Sequence, residues 1–191
     1  MKRLSDNYYV EQVLYGETES FAPLLYRYSK RVFSLIVKIV GNREDAEELT
    51  QDVFVKAYRS LATFRADSSF STWIYRIAYN MAISATRKKA HNIISIDESV
   101  LSEATDDTDD MMLEDSNNEL RIVYLTRALE QLSPDERAMI LLFYKENMTM
   151  EEIAVITGFT ETNVKTKIFR IRKKLFILIR RMEENEYGIE R

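Results

Sequence analysis

The stretch FRADSSFSTWIYRIAYNMAISATRKK, residues 64–89, combines a polar segment with a helical pattern. Residues 65–69 carry no periodic apolar side chains, which indicates a loop. After this loop, apolar residues recur at steps of three and four and predict one buried helix face: Phe70, Ile74, Ile77, Met81 and Ala85. Ser69 or Ser71 can cap the helix, since a serine oxygen can accept a hydrogen bond from an unpaired backbone N–H. The spacing predicts that the other polar and aromatic side chains face outward: Tyr75, Arg76, Tyr79, Asn80 and Arg87.

This outward face has two interpretations. Aromatic rings, amides and cations together form a surface that can stack on bases and hold phosphates. An ordinary amphipathic helix with a solvated charged face is the alternative, and the residues of this stretch alone favour it.

The segment FRADSSFSTWIYRIAYNMA also resembles the promoter-melting segment of bacterial sigma factors of the extracytoplasmic-function group. In that family, the loop captures a base flipped out of the minus-ten element, and the helix reads and opens the duplex. The resemblance implies these roles for the corresponding residues here, with the basic end of the helix included: Ala66, Asp67, Ser68, Ser69, Trp73, Arg76, Tyr79, Asn80, Arg87 and Lys88. The family often has glycine at the position of Ala66, so the loop geometry is expected to differ slightly.

Composition favours an all-helical protein of one large or two small domains. The chain has 191 residues with only four glycines and two prolines. It contains no cysteine, which excludes disulfides, cysteine metal sites and thiol nucleophiles and suits a reducing cytoplasm. Residues 1–7 lack a signal-peptide pattern and the apolar runs are too short to span a bilayer, so we expect a cytoplasmic protein without membrane insertion.

The negative charge is concentrated in one segment. The formal net charge is −4. Ten acidic residues and no lysine or arginine lie between His91 and Leu120, and removing these ten charges leaves +6 on the remainder. We therefore predict a flexible acidic linker, residues 91–118, between a first helical domain, residues 1–90, and a second, residues 119–185.

Turn and capping residues divide the first domain into helices. A short helix is predicted to end at Gly16, and a longer one, capped by Glu19 or Ser20, to end at Gly41. Asn42 can cap the next helix. These helices and the unit at residues 64–89 can bury their apolar faces against one another as one domain.

The segment REDAEELTQDVFVKAYRSL, residues 43–61, is the second point of resemblance. In sigma factors this helix is the main dock for the clamp helices of the polymerase β′ subunit. The resemblance implies docking roles for its outward residues: Asp45, Glu48, Gln51, Asp52 and Lys56. A solvated charged face is the alternative for the segment taken alone, but its place directly before the promoter-melting match favours the dock.

Strong start signals mark the second domain. Its first helix is predicted to bury a stripe formed by Ile122, Leu125, Leu129 and Leu132. The sequence SPDE, residues 133–136, and the pair Thr149 and Glu152 are two capping boxes. Gly158 is placed to end a short helix, and a long basic helix follows, so the order predicts a helix-turn-helix.

The long basic helix is predicted to enter the major groove of DNA. Val164, Ile168 and Ile171 fix it on its core, and the remaining residues face outward: Asn163, Lys165, Thr166, Lys167, Arg170, Lys173 and Lys174. Phe169 can pack in the core or contact a thymine methyl, and both options stay open. The alternative for the whole unit is a plain helical bundle.

Residues 132–175 also resemble the sigma-factor domain that reads the minus-thirty-five element. The three matches follow the order of the family, and the extra domain of larger housekeeping sigma factors has no counterpart here. The chain is therefore identified as a member of the extracytoplasmic-function group, with two helical domains. The resemblance implies RNA polymerase core (its β′ clamp helices and its β subunit), promoter DNA and an anti-sigma factor as partners.

The sequence favours binding over catalysis. It lacks a visible nucleophile–base pair, metal cluster or glycine-rich phosphate loop, so no enzyme activity, cofactor, metal or small-molecule substrate is expected. Two other functions stay open. The chain could be a helix-turn-helix regulator that works without core polymerase, or a protein that binds polymerase and does not support initiation.

Overall fold

The computed structural model describes residues 4–91 and 118–187, and within them every regular element is helical. We call residues 4–91 the first half and residues 118–187 the second half. Two short 3-10 turns, Thr18–Phe21 and Leu61–Thr63, connect helices of the first half. The helices are α1 (Asp6–Leu14), α2 (Ala22–Val40), α3 (Arg43–Arg59), α4 (Phe70–His91), α5 (Asn118–Glu130), α6 (Pro134–Tyr144), α7 (Met150–Thr157) and α8 (Glu161–Tyr187). The predicted all-α class is confirmed. The predicted acidic linker lies outside the described residues except for its two ends, which belong to α4 and α5.

Local signals set most helix boundaries as predicted. The side chain of Asn42 accepts a hydrogen bond of 2.9 Å from the backbone N–H of Asp45 at the start of α3. Gly41 ends α2 with a φ of 74°, in the left-handed region that favours glycine. Both capping boxes are present, at residues 133–136 and 149–152. These features were predictable because each depends on residues only a few positions apart.

The predicted cap of α2 is wrong. Neither Glu19 nor Ser20 caps this helix, because both lie in the 3-10 turn that leads directly into it. Phe21 is at the N-cap and makes no side-chain cap hydrogen bond. The backbone therefore enters α2 from a turn that is already helical, and a side-chain cap is not used.

Helices α2, α3 and α4 pack on one another and form the core of the first half. Helical spacing places Leu24 and Ile36 of α2 and Val53 of α3 on inward faces, and all three are fully buried. Helical spacing also favours burial of Leu25, but this side chain lies on the surface. Phe70 and Ile74 anchor the start of α4 in the same core.

In the second half, α5 packs on α8 along a different line from the predicted one. Tyr124 and Ala128 are buried, whereas Ile122 is 58% exposed and Leu125 is also on the surface. The predicted stripe of α5 is therefore wrong at two of its four positions. Tyr124 and Ala128 lie on the buried side of α5 instead, and the position of the partner helix determines which side is buried.

The two halves contact each other. Helix α4 packs against α7, and α2 packs against α6. The guanidinium of Arg137 donates a hydrogen bond of 2.8 Å to the backbone carbonyl of Lys38 across this contact. The surface of the first half that faces α6 and α7 is thus covered by the second half.

Candidate nucleic-acid and polymerase interfaces

The loop before α4 contains one residue with a left-handed backbone. Ala66 has a φ of 58°, in the left-handed region that glycine enters without steric cost. Ala66, Asp67 and Ser69 are exposed, and Ser68 is half-buried. Ser69 is the cap, because its Oγ accepts a hydrogen bond of 3.1 Å from the backbone N–H of Thr72. The loop therefore presents an accessible backbone turn directly beside the first turn of α4.

One side of α4 continues the exposed surface of this loop. Arg76, Asn80, Arg87 and Lys88 are exposed. The first three lie four and seven residues apart, so they share one helix face. Trp73 is half-buried, and its ring lies 5.5 Å from the ring of Phe64, measured between centroids. The loop, the tryptophan and the basic face of α4 thus form one continuous surface.

The predicted exposure of two tyrosines on α4 is wrong. Tyr75 is 0% exposed and Tyr79 is 4% exposed. The phenol of Tyr75 donates a hydrogen bond to Glu146, and the phenol of Tyr79 donates one of 2.6 Å to Asp135. Both acceptors belong to the second half, which covers this side of α4. Burial, followed by the bonded carboxylates, raises the pKa of both tyrosines, so the phenols stay neutral.

Further groups at this contact have no predicted role. Thr72 is buried, and its hydroxyl donates a hydrogen bond of 3.1 Å to Glu152. Glu146 is 8% exposed, and its carboxylate also accepts a bond of 2.7 Å from Nε of Arg31. Burial alone would lower the pKa of Arg31, but Tyr75 and Glu146 outweigh burial and raise it. The spacing of residues in the sequence does not indicate these contacts, since the two residues of each hydrogen bond are 56 to 115 positions apart along the chain.

The predicted docking residues of α3 lie on two adjoining surfaces. Asp45, Glu48 and Asp52 line a groove of about 200 Å³ between α3 and α4. Gln51 instead lines a larger groove of about 620 Å³ between α2 and α3. Lys56 is exposed, as are Glu48, Gln51 and Asp52, whereas Asp45 is half-buried.

The larger groove has an apolar lining that was not predicted from the sequence. Val55 is 46% exposed on α3, and Leu25 and Tyr58 are exposed beside it. Val55 lies between Asp52 and Lys56, so a valine at an outward position of a charged helix was the available signal. The outward face of α3 is therefore partly apolar.

The predicted helix-turn-helix is confirmed in α7 and α8. Gly158 ends α7 with a φ of 77°, and Thr160 Oγ1 accepts a hydrogen bond of 3.3 Å from the backbone N–H of Asn163. Val164 and Ile168 are buried against the rest of the second half. The beginning of α8 is thus held rigidly, with its opposite side in solvent.

Most of the predicted recognition residues share that solvent side. The exposed ones are Asn163, Lys165, Thr166, Lys167, Phe169 and Arg170. Phe169 is 51% exposed, so it belongs to the surface and not to the core. The ammonium of Lys167 lies 4.8 Å from the centroid of the Phe159 ring.

Lys173 and Lys174 differ from the other predicted recognition residues, because both are half-buried. Nζ of Lys174 lies 2.9 Å from Oε2 of Glu136 in the capping box of α6. Burial opposes ionisation of Glu136, but the bonds from Lys174 and the Ser133 backbone outweigh it and lower the pKa of this carboxyl. Lys174 therefore joins α8 to α6 in this structure.

Comparison with known proteins identifies the family. The family description "Sigma-70 region 2" matches residues 21–92, and "Sigma-70, region 4" matches residues 122–175. The ECF RNA polymerase sigma-E factor of Escherichia coli K12 is 34% identical over 181 residues, which cover 91% of this chain and 94% of the relative. The chain belongs to the extracytoplasmic-function sigma factors of the sigma-70 family.

A second relative agrees with this assignment, and two solved structures share the fold. The RNA polymerase sigma-H factor of Pseudomonas aeruginosa is 30% identical over 181 residues, covering 89% of this chain and 91% of the relative. Sigma factor RpoE of Bartonella quintana, solved with the anti-sigma factor NepR, has a TM-score of 0.64 at 22% identity and covers 85% of this chain and 98% of that one. CnrH, solved with the cytosolic domain of CnrY, also has a TM-score of 0.64, at 21% identity, with 91% and 96% covered. These two structures share the fold.

As a sigma factor, the chain acts in transcription initiation, with RNA polymerase core and promoter DNA as partners. Sigma factors are in general DNA-binding initiation factors and not enzymes. Across residues 4–91 and 118–187, no group of three or more histidine, aspartate or glutamate side chains is placed to hold a metal ion. Within the same ranges, no helix has the length and apolar character needed to cross a bilayer.

Proposed function

We propose that each sigma-factor task belongs to one of the surfaces described above. The loop at residues 66–69 and the exposed side of α4 read and melt the minus-ten element. The outward residues of α8 read the minus-thirty-five element, and α3 docks on the β′ clamp helices. The proposed division is a melting and docking domain at residues 1–90, a linker at residues 91–118 and an upstream-binding domain at residues 119–185.

The observation that carries the proposal is the continuous surface of the loop and α4. A left-handed Ala66, a half-buried Trp73 and the exposed Arg76, Asn80 and Arg87 lie together on it. A turn with accessible backbone can receive an unstacked base, an indole can stack on one, and arginines can hold the phosphates on either side. Such a surface supports binding and strand separation without chemistry on the DNA.

The dock on polymerase extends beyond the charged residues of α3. Val55 and Tyr58 expose apolar surface next to Gln51 and Asp52. Interfaces commonly combine a small apolar centre with a polar rim. We therefore assign Val55 to the centre of the clamp contact and the neighbouring charges to its edge.

Transcription from a promoter library tests the proposal. The purified chain with core polymerase should give transcripts from a limited set of sequences, and core polymerase alone should not. A helix-turn-helix regulator would bind duplex DNA without core and add no transcripts. A protein that only occupies the clamp would bind core polymerase and give no sequence-specific transcripts.

Two further assignments rest on the family. RpoE was solved with the anti-sigma factor NepR, and CnrH was solved with the cytosolic domain of CnrY. We propose that this chain also has an anti-sigma partner and works in the cytoplasm, without catalysis of its own. The chain purified from its own cells should then carry a stoichiometric protein that suppresses transcription in the library assay. Full activity of the chain as isolated would contradict the assignment.

A further inference from the structure

Three carboxylates of the second half bind three hydroxyls on one side of α4. Glu152 accepts a hydrogen bond from Thr72, and Asp135 accepts one from Tyr79. Glu146 accepts a third from Tyr75. The three hydroxyls lie at steps of three and four residues along α4, so the contact follows one helix face over two turns.

Glu146 is the centre of this contact. A buried carboxylate is stable only where charged or hydrogen-bonding partners replace water. The partners of Glu146 are Arg31 on α2 and Tyr75 on α4, both in the first half. Among the described residues, no buried side-chain nitrogen or oxygen lacks a hydrogen-bond partner, so the contact between the halves is fully satisfied.

The contact between the two halves covers one side of α4 but leaves the proposed surfaces of α3 and α8 exposed. It buries Tyr79 and brings Asp135, Glu146 and Glu152 beside the helix proposed to hold promoter DNA. The outward faces of α3 and of the first turns of α8 stay exposed. Carboxylates next to a DNA-binding helix repel phosphates, and a buried tyrosine cannot stack on a base.

We propose that the second half autoinhibits the first. In the closed state, α6 and α7 cover the side of α4 that carries Thr72, Tyr75 and Tyr79, and they hold acidic groups against it. Polymerase reaches α3 in this state, and its binding selects the open state, in which the side of α4 that carries Tyr79 can also contact DNA. The apparent DNA affinity of the free chain is then reduced by the fraction of molecules that are open. The inhibitory meaning of the contact rests on the proposed function of α4, whereas closure itself does not.

Distance measurements on the full chain test closure. The chain has no cysteine, so Lys30→Cys and Glu161→Cys, both at exposed positions, give two unique sites for spin labels. We expect one narrow distance population in the parent and a shift to longer distances when core polymerase is added. Glu146→Ala and, independently, Arg31→Ala should each raise the ratio of open to closed molecules roughly tenfold. Arg31→Ala leaves the buried Glu146 carboxylate without its cation, and Glu146→Ala leaves the buried Tyr75 hydroxyl without its acceptor. Glu151→Ala is the matched control, since it removes an exposed carboxylate from α7 and should leave the distances unchanged.

Binding of single-stranded DNA tests inhibition. The probe is a fluorescent 20-base pool of mixed sequence, because stacking on aromatic side chains tolerates any base. Glu146→Ala should bind the pool several-fold more tightly than the parent. Glu151→Ala, with the same change of charge, should not.

Two results would overturn the inference. A parent chain that is already open, or distances that change in neither Glu146→Ala nor Arg31→Ala, would mean that the contact does not close the molecule. If the label distances in Glu146→Ala lengthen but this variant binds DNA no more tightly than the Glu151→Ala control, closure does not inhibit DNA binding. Failure of the parent in the library transcription assay is a separate result, which concerns the sigma-factor function and not the closure.

Discussion

The phenol of Tyr79 on α4 donates a hydrogen bond of 2.6 Å to the carboxylate of Asp135 in the first turn of α6. These residues are 56 positions apart and belong to different halves of the molecule. Burial and this bond raise the pKa of Tyr79, which keeps the phenol neutral and able to donate. A residue implied by the resemblance to contact promoter DNA is therefore bound to the second half in this structure.

We predict that Tyr79→Phe destabilises the chain by about 1.5–3 kcal/mol, because it removes one hydrogen bond to a charged group and little packing. Tyr58→Phe is the matched control, since the Tyr58 ring is exposed and contacts only Phe21 among the described aromatic rings. Urea unfolding of the two variants measures the effect. Equal midpoints for both variants would show that the Tyr79–Asp135 bond adds nothing to stability.

The pH dependence of stability should reveal the lowered pKa of Glu136. The folded carboxyl has a pKa below its ordinary value of 4.5. Its stabilising contribution is therefore complete above that value and is lost as the pH falls through the lowered pKa. Glu136→Gln keeps an acceptor for the backbone N–H of Ser133 in the capping box but cannot ionise. Its free energy of unfolding should therefore fall less steeply than that of the parent as the pH drops below 4.5. Parallel curves for parent and variant would contradict the prediction.

The features that were predicted correctly from the sequence are those that depend on short-range interactions. The capping boxes at residues 133–136 and 149–152 and the end of α7 at Gly158 follow from residues within one helical turn. The exposed Arg76 and Asn80 follow from helical spacing in the same way. The left-handed backbone of Ala66 was not predicted, although the family often has glycine at this position and glycine enters that region without steric cost.

The sequence did not predict which helix faces meet distant parts of the chain. Tyr75 and Tyr79 have polar groups on large rings, and such side chains suit either a wet surface or a satisfied interior. Their burial depends on Glu146 and Asp135, which no spacing rule connects to α4. The exposure of Ile122 has the same origin, since only the position of α8 determines which side of α5 is covered.

Charge reversal on α3 should weaken the polymerase contact. Asp52→Arg should lower affinity for core polymerase about tenfold, because it places a cation at the edge of the proposed dock. The residue is exposed, so the helical spectrum should not change. Glu11→Arg makes the same change of charge on exposed α1 surface and serves as the control. Equal binding of the two variants in a titration would count against α3 as the dock.

Arg170 tests base reading by α8. Arg170→Ala should cost about 1–3 kcal/mol of affinity for the upstream element and relax the preference at one base position. Arg181→Ala is the control, because Arg181 is exposed on the same helix beyond the helix-turn-helix. A selection from randomised duplexes measures both effects. A uniform loss across all sequences would make Arg170 a phosphate contact, and no loss would remove it from the interface.

The measurement that tests the central claim most directly is strand opening by Asn80→Ala. Asn80 is exposed on α4, so truncation removes amide groups and little packing, and the variant should fold and bind core polymerase as the parent does. Unpairing a base costs a few kcal/mol, which a pocket for the flipped base offsets. For Asn80→Ala we expect less transcription from a duplex promoter and less permanganate reactivity of thymines near the start site. Gln131→Ala is the control, since it removes an exposed amide away from the proposed DNA surfaces and should change neither readout.

On a template opened beforehand by mismatches, most of the transcription by Asn80→Ala should return, because the unpairing cost has been removed. If Asn80→Ala instead opens the duplex as well as the parent, α4 is not the melting surface, and the assignment of the loop and α4 to the minus-ten element is wrong.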